Sequence, residues 1–238
     1  MIEDEEKLLA RVLDLFAQRF DRHAVLRGGM VLRVLGSPRF TNDLDYVFVP
    51  YKSKKDIVRD VLECLKSIEG AHVVHSLNSK CLRVVLTVDN TSIQIESTVA
   101  MNVLTDTTST RLFSKQFDLP PRMIHIQNMN VALSNKLAAW NERRLIRDLY
   151  DTWFLLQMSI LPDPNTLTDR LLKPAYSPLL KQKDYFPGNT CPEFFDFLRS
   201  NVAQLNDKRI SDELSDYLTP DEIAGLLLQF QAAFAKLQ

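Results

Sequence analysis

The chain has 238 residues, 29 Lys+Arg against 30 Asp+Glu for a formal net charge of −1, and three cysteines. At roughly 100–200 residues per domain this is one or two domains, long enough to bury a core without disulfide or metal staples. Cys64, Cys81 and Cys191 lie too far apart in sequence for a metal knuckle, and their odd number argues against a secreted disulfide scaffold. No apolar run approaches the roughly 18 residues of a membrane span, and the acidic start Ile2-Glu3-Asp4-Glu5-Glu6 is the opposite of a signal peptide's basic opening. The expectation is a cytoplasmic protein without a membrane association. Of only six glycines, three sit at Gly28, Gly29 and Gly36, so special backbone is needed there.

In chain order, Leu8, Leu9, Val12, Leu13, Phe16 and Phe20 recur at helical spacing and predict an amphipathic helix that ends before His23. Ala24-Val25-Leu26, Gly28-Gly29 and Met30 to Leu35, stopped by Gly36, read as strand, tight turn, short helix and C-cap. A strand follows at Asp43 to Val49, then a helix marked by Ile57, Val61, Leu65 and Ile68 with Ser53 as its N-cap. His72 to Leu77, Cys81 to Val88 and Thr91 to Ser97 are β-rich, the last two joined by an Asp89-Asn90 hairpin turn. Residues 1–130 therefore read as a sheet domain, α/β or α+β, and 131–238 as a helical one. Two later helix starts, Thr190-Cys191-Pro192-Glu193 and Thr219-Pro220-Asp221-Glu222, carry the capping-box pattern.

The strongest chemical signal is Arg39-Phe40-Thr41-Asn42-Asp43-Leu44-Asp45-Tyr46. On a strand, residues two apart share a face, so Asp43 and Asp45 present two carboxylates together while Leu44 and Tyr46 face the core. A hard divalent ion is the natural occupant of such a pair; a solvated strand start is the alternative. Upstream, Gly28-Gly29 lies between a strand and a helix, where exposed backbone N–H groups can hold a phosphate, although an ordinary tight turn has the same sequence. In Ser92 to Glu96, Gln94 and Glu96 share the face opposite Ile93 and Ile95, so Glu96 supplies a third carboxylate if that strand neighbours the first.

A second cluster runs from Lys136 to Asp151. Arg144 with Asp148 and Arg147 with Asp151 are helical i,i+4 pairs worth about 0.2–0.5 kcal/mol each. On one unbroken helix Lys136 and Asp148 would stand about 18 Å apart along the axis. A shared role therefore requires a break near Asn141 to Ile146. Arg143, Arg144 and Arg147 are candidates for a local basic surface.

Taken together, Leu26-Arg27-Gly28-Gly29-Met30-x-Leu32, Gly36-x-x-Arg39-Phe40-Thr41-x-Asp43-Leu44-Asp45, Lys136-Leu137-x-Ala139 and Arg143-x-x-x-Arg147-Asp148-Leu149-Tyr150-Asp151 resemble the AbiEii/AbiGii toxin family of nucleotidyltransferases, in the polymerase-β-like superfamily. The resemblance spans about residues 24–156. It implies a mixed-sheet nucleotidyltransferase core followed by a helical domain, with an NTP as substrate and Mg²⁺ or Mn²⁺ as cofactor. It further implies Asp43, Asp45, Lys136 and Asp148 as the catalytic set, with Gly28, Gly29, Arg39, Thr41 and Lys136 on the nucleotide. Asp43, Asp45 and Glu96 would be the metal ligands. One departure is Met30, where many relatives carry Thr or Ser. The implied role is a toxin of a toxin–antitoxin or phage-defence pair with a cognate antitoxin as partner, moving an NMP onto the end of a tRNA, another RNA, a protein side chain or a small molecule. The competing expectation is a nucleotide-binding or interaction module that keeps the scaffold without turnover.

Overall fold

The computed structural model describes residues 2–175, 185, 186, 188 and 190–237; the helical reading of the remaining positions beyond 175 lies outside the described residues. Contacts divide the chain into two units, Met1–Asn128 and Met129–Gln238.

The first unit contains α1 (Ile2–Phe20), β1 (Ala24–Arg27), α2 (Gly29–Val34), β2 (Asp43–Phe48), α3 (Lys55–Lys66), β3 (Ala71–Leu77), β4 (Leu82–Val88), β5 (Thr91–Val99), β6 (Thr105–Ser109), α4 (Arg111–Ser114) and β7 (Met123–Gln127). Its seven strands form one mixed sheet in the order β3-β4-β5-β2-β1-β7-β6. β2 runs parallel to β5 and β1 parallel to β7, while the other neighbours are antiparallel. The turn between β4 and β5 has Asp89 at φ 52, a left-handed conformation that Asp tolerates.

The apolar stripe of α1 explains which way the central strand faces. Leu9, Val12, Leu13 and Phe16 are fully buried, and Phe16 lies 5.0 Å from the Tyr46 ring and 6.2 Å from that of Phe48. Burying a side chain of this size is worth about 1.5–3 kcal/mol. A one-residue slip of β2 would turn Leu44, Tyr46 and Phe48 out of this core, so the register is strongly held. Burial also pushes the Tyr46 hydroxyl far up from its ordinary range, and it stays protonated. The α3 thiol of Cys64 is raised to about 11 by burial, and burial raises that of Cys81 with the Glu96 carboxylate adding to it, so neither is a thiolate.

Helix α3 starts differently from the reading of Ser53 as its N-cap. Lys54 occupies the N-cap position without a side-chain cap, while Ser53 Oγ accepts from Lys55 N at 3.2 Å. Asp56 Oδ2 accepts in turn from Ser53 N at 3.1 Å, so the serine makes a turn one residue ahead of the cap.

The second unit contains α5 (Met129–Arg143), α6 (Ile146–Gln157), α7 (Pro164–Leu172), α8 (Cys191–Ala203), α9 (Asp207–Leu214), α10 (Pro220–Ile223) and α11 (Leu226–Phe234). Among the described residues it is helical throughout. The Trp140 ring lies 6.4 Å from that of Phe194 and 6.3 Å from that of Phe197, and Trp153 meets Phe230 at 6.1 Å. Trp140, Phe194 and Phe230 are core, with Phe197 and Trp153 half-buried at its edge. The capping box at Thr219 and Glu222 forms in full. At Thr190 the side chain instead donates to Glu193 Oε2 at 2.5 Å. No helix among the described residues is long and apolar enough to cross a membrane.

Helix α7 carries an N-cap of a standard kind, Asp163, whose Oδ1 accepts from Thr166 N at 2.7 Å with Pro164 at the first position. Hydrogen bonds from the Thr166 side chain and then its backbone hold the Asp163 carboxyl below the usual carboxylate range. A depressed carboxyl contributes stability above its unfolded value and loses it as pH falls through the folded one. Asp163→Ala is expected to cost about 1 kcal/mol at neutral pH, measured by denaturant unfolding. The gap between variant and wild type should close as the pH is taken below about 3.9.

Candidate active site

The first unit brings the glycine turn against the carboxylate strand. Arg27 at the end of β1 is the register partner of Asp45 on β2, so the chain leaves β1 beside that carboxylate. It turns at Gly28 with φ 76 and ψ −155, a region essentially closed to side chains. The turn is close enough that a Cβ at Gly28 would overlap Asp45 Oδ2 and lie 3.2 Å from its Cγ. Gly29 is also tight, since a Cβ there would meet Arg39 Nη2 at 2.8 Å and Thr41 Oγ1 at 3.2 Å. Gly28, Gly29, Arg39, Thr41 and Asp45 are thus packed around one turn.

The connection into β2 is ordered by its own residues. Arg39 is buried, its backbone N donates to Ser37 Oγ at 3.3 Å and its Nη1 donates to the Phe40 carbonyl at 3.2 Å. Thr41 Oγ1 accepts from Asp43 N at 3.5 Å. Asp43 and Asp45 are both half-buried on the face opposite Leu44 and Tyr46, which are buried.

β5 neighbours β2, with Glu96 in register with Asp45 and Gln94 with Asp43. One row across the sheet therefore reads Arg83, Glu96, Asp45, Arg27. Glu96 is engaged within that row: Oε1 accepts from Arg83 Nε at 2.9 Å and Gln94 Nε2 at 3.1 Å, with Arg83 Nη2 at 2.7 Å. Among the described residues no group of three or more His, Cys, Asp or Glu stands close enough to hold a metal ion. The aspartate pair is the oxygen-donor set at hand, with Glu96 a neighbour turned to Arg83. Local sequence pattern carries no signal for Arg83, because its role depends on the pairing of β4 with β5.

In the second unit, the helix breaks between Lys136 and Asp148. α5 ends at Arg143, Arg144 has φ 56, Leu145 is extended, and α6 starts at Ile146. The Arg144 guanidinium stacks 4.4 Å from the Trp140 ring and 4.7 Å from that of Phe197, and Nη1 donates to Asn201 Oδ1 at 3.1 Å. Ile146 N donates to Glu213 Oε2 at 2.8 Å. The break resets the helical phase, so the pairs differ from the i,i+4 expectation. Arg143, not Arg144, holds Asp148, through Nη2 to Oδ1 at 2.5 Å and Nε to Oδ2 at 3.1 Å. Lys136, not Arg147, holds Asp151, at 2.5 Å. Burial pushes the Asp148 carboxyl up, while the charges of Lys136 and Arg143 pull it down and that of Asp151 adds to the rise.

A mixed sheet carrying a glycine turn and a carboxylate strand, with a helical unit after it, is the architecture of a nucleotidyltransferase. Two solved structures share the fold. MenT4, a nucleotidyltransferase toxin from Mycobacterium tuberculosis, superposes with a TM-score of 0.62 at 17% identity, covering 98% of this chain and 82% of that one. JHP933 from Helicobacter pylori gives 0.56 at 14% identity, covering 98% and 90%. The model of the nucleotidyl transferase AbiEii toxins of type IV toxin–antitoxin systems matches residues 7–235, and the chain belongs to that family. No curated protein matches the sequence.

The Gly28 turn is open to a direct test. Gly28→Ala is expected to cost about 1–3 kcal/mol from backbone strain alone, read by denaturant unfolding. Because the new Cβ competes with Asp45 Oδ2 for space, it should also weaken Mn²⁺ binding measured by electron paramagnetic resonance, an effect that strain elsewhere in the unit would not produce.

Proposed function

We propose that the chain is a metal-dependent nucleotidyltransferase in which residues 1–130 form the catalytic core and residues 131–238 a helical domain. It transfers an NMP unit from an NTP to an acceptor hydroxyl, on tRNA, another RNA or a protein. The acceptor oxygen bonds to the α-phosphorus, the bond between α- and β-phosphates breaks, the hydroxyl proton is released and pyrophosphate leaves. The observation that carries the reading is the glycine turn laid directly on Asp45, because backbone this close to a carboxylate is where a phosphate and its counter-ion can be held together.

Each residue has a part in this reading. Gly28 and Gly29 let the chain approach the triphosphate, and Arg39 and Thr41 keep that turn in shape from behind. Asp43 and Asp45, two carboxylates on one face, fit a hard divalent ion such as Mg²⁺ or Mn²⁺. When bound, that ion supplies Lewis-acid stabilisation of charge on the phosphate oxygens. Glu96 is a third carboxylate on the neighbouring strand, in register with Asp45 and held to Arg83 and Gln94. Lys136 is assigned to the triphosphate and Asp148 is the second essential acid. Membership of a type IV toxin family supports a cognate antitoxin as partner and work in the reducing cytoplasm.

The test is incubation of the purified protein with each α-labelled NTP, Mg²⁺ or Mn²⁺, and total RNA. Label is expected in RNA or protein. Asp43→Ala and Lys136→Ala should each lower it by about 10²–10³-fold, the scale of several kcal/mol of transition-state stabilisation. Asp43→Ala should melt as wild type does, whereas Lys136→Ala, which removes a cation from the buried Asp151, should melt lower while still folded at the assay temperature. Absence of label from RNA, from the protein itself and from small acceptors would leave a binding module without turnover and overturn the reading.

A further inference from the structure

The unit Met129–Gln238 buries three carboxylates on α5 and α6, and each is gripped by a cation that stays reachable from solvent. The side chains of Glu142, Asp148 and Asp151 are each 1% exposed, while those of their partners Arg170, Arg143 and Lys136 are 23%, 22% and 19% exposed. A buried ion pair is a weak device for stability, since desolvation offsets most of its attraction. Its distinctive product is a cation whose head is aimed and fixed.

The three cations differ in what else occupies them. Arg170 also donates to Asn135 Oδ1 at 2.7 Å, and Glu142 also accepts from Ala175 N at 3.1 Å, so that pair ties α5 to α7 and to the segment after it. Lys136 and Arg143 instead belong to one cluster, because the Asp148 carboxylate is within reach of both their charges and of Asp151. They lie seven residues apart on α5, about 10.5 Å along the axis, with long side chains that converge on Asp151 and Asp148, three residues apart on α6. Two cations aimed from one cluster can engage more than one phosphate of a linked chain. Arg143 is moreover held side-on through Nε and Nη2, which fixes the plane of its guanidinium fork.

We infer that Arg143 is a second polyphosphate-binding residue beside Lys136, and that Asp148 and Asp151 are positioning residues that aim Arg143 and Lys136 respectively. This narrows the role of Asp148 as the second essential acid: buried and held through both oxygens, it acts through its arginine and not on substrate directly. The inference deepens the proposed function and rests on its assignment of Lys136 to the triphosphate.

The experiment is isothermal titration of the full-length protein with inorganic tripolyphosphate in the absence of divalent metal, each variant being checked by near-UV circular dichroism. Wild type is expected to bind, and Arg143→Ala to bind about 10- to 100-fold more weakly, the effect of losing a charge-assisted hydrogen bond. Arg143→Lys, which keeps the charge and loses the fork, should fall between them and carries the test if the alanine variant does not fold. Asp148→Asn should weaken binding too, and the double variant Arg143→Ala/Asp148→Asn should be no weaker than Arg143→Ala alone. Additive losses in the double variant would overturn the positioning role of Asp148. Wild-type affinity in both Arg143 variants, with binding lost in Lys136→Ala, would overturn the inference and leave the assignment of Lys136 standing. No binding by wild type would overturn that assignment and the inference with it.

Discussion

The contact between the Gly28 backbone and the Asp45 carboxylate is the constraint around which the first unit is arranged. It needs β1 and β2 side by side with Arg27 opposite Asp45, so that the chain turns beside the carboxylate and nowhere else. It also needs Asp45 on the outer face, which is secured by the aromatic packing of Phe16 on Tyr46 and Phe48 from the far side of the sheet. A sheet has a period of two, so burying Leu44, Tyr46 and Phe48 and presenting Asp43 and Asp45 are a single choice. Arg39 and Thr41 then close the space behind Gly29, where any larger residue would push them aside. Stability of the core and geometry of the turn are for this reason the same set of contacts seen from two faces.

The second unit depends on a different constraint, the interruption at Arg144. A left-handed residue with a long side chain is costly, of order 1–2 kcal/mol, and it persists here because its guanidinium is sandwiched by Trp140 and Phe197 and bonded to Asn201. The break lets α6 fold back alongside α5. Carboxylates that would have faced water one turn along the same helix are instead buried against a facing one, and they meet Arg143 and Lys136. One strained residue thereby converts a surface charge pattern into aimed, half-buried cations.

Much of this was legible in the sequence where a short-range period carried it. The α1 stripe, the alternation of β2, β4 and β5, the Asp89 hairpin and the need for a break before Asp148 all follow from spacing within a dozen residues. β6, with Thr105-Asp106-Thr107-Thr108-Ser109, has no apolar residue to betray it and exists because it pairs with β7, itself a short strand of only two buried residues. The grip of Arg83 on Glu96 was hidden for a related reason: it is a product of strand register between residues thirteen apart, and either side chain alone reads as a solvated charge. The exchange of Arg144 for Arg143 as partner of Asp148 was hidden because helical periodicity holds only while the helix continues. What escapes the sequence in each case is the phase between elements, which packing sets and local pattern does not.

The near balance of 29 basic and 30 acidic residues also takes on a more definite meaning. A chain built to track a long polyanion carries an unbalanced basic stripe and a long-range field. Here the cations of interest are each matched to a carboxylate: Arg83 to Glu96 in the sheet, Arg143 to Asp148 and Lys136 to Asp151 in the helical unit. Matching cancels the field at a distance and leaves directional donors at short range, where desolvation strengthens each hydrogen bond. Each such pair discriminates by geometry, since a ligand gains only if its oxygens fall where the fixed donors point. It favours a small, densely charged group of defined shape, such as the phosphates of one nucleotide, over the diffuse charge of a nucleic-acid backbone. Any recognition of a long acceptor would then have to come from shape and hydrogen bonding at its reacting end, with little help from bulk electrostatics.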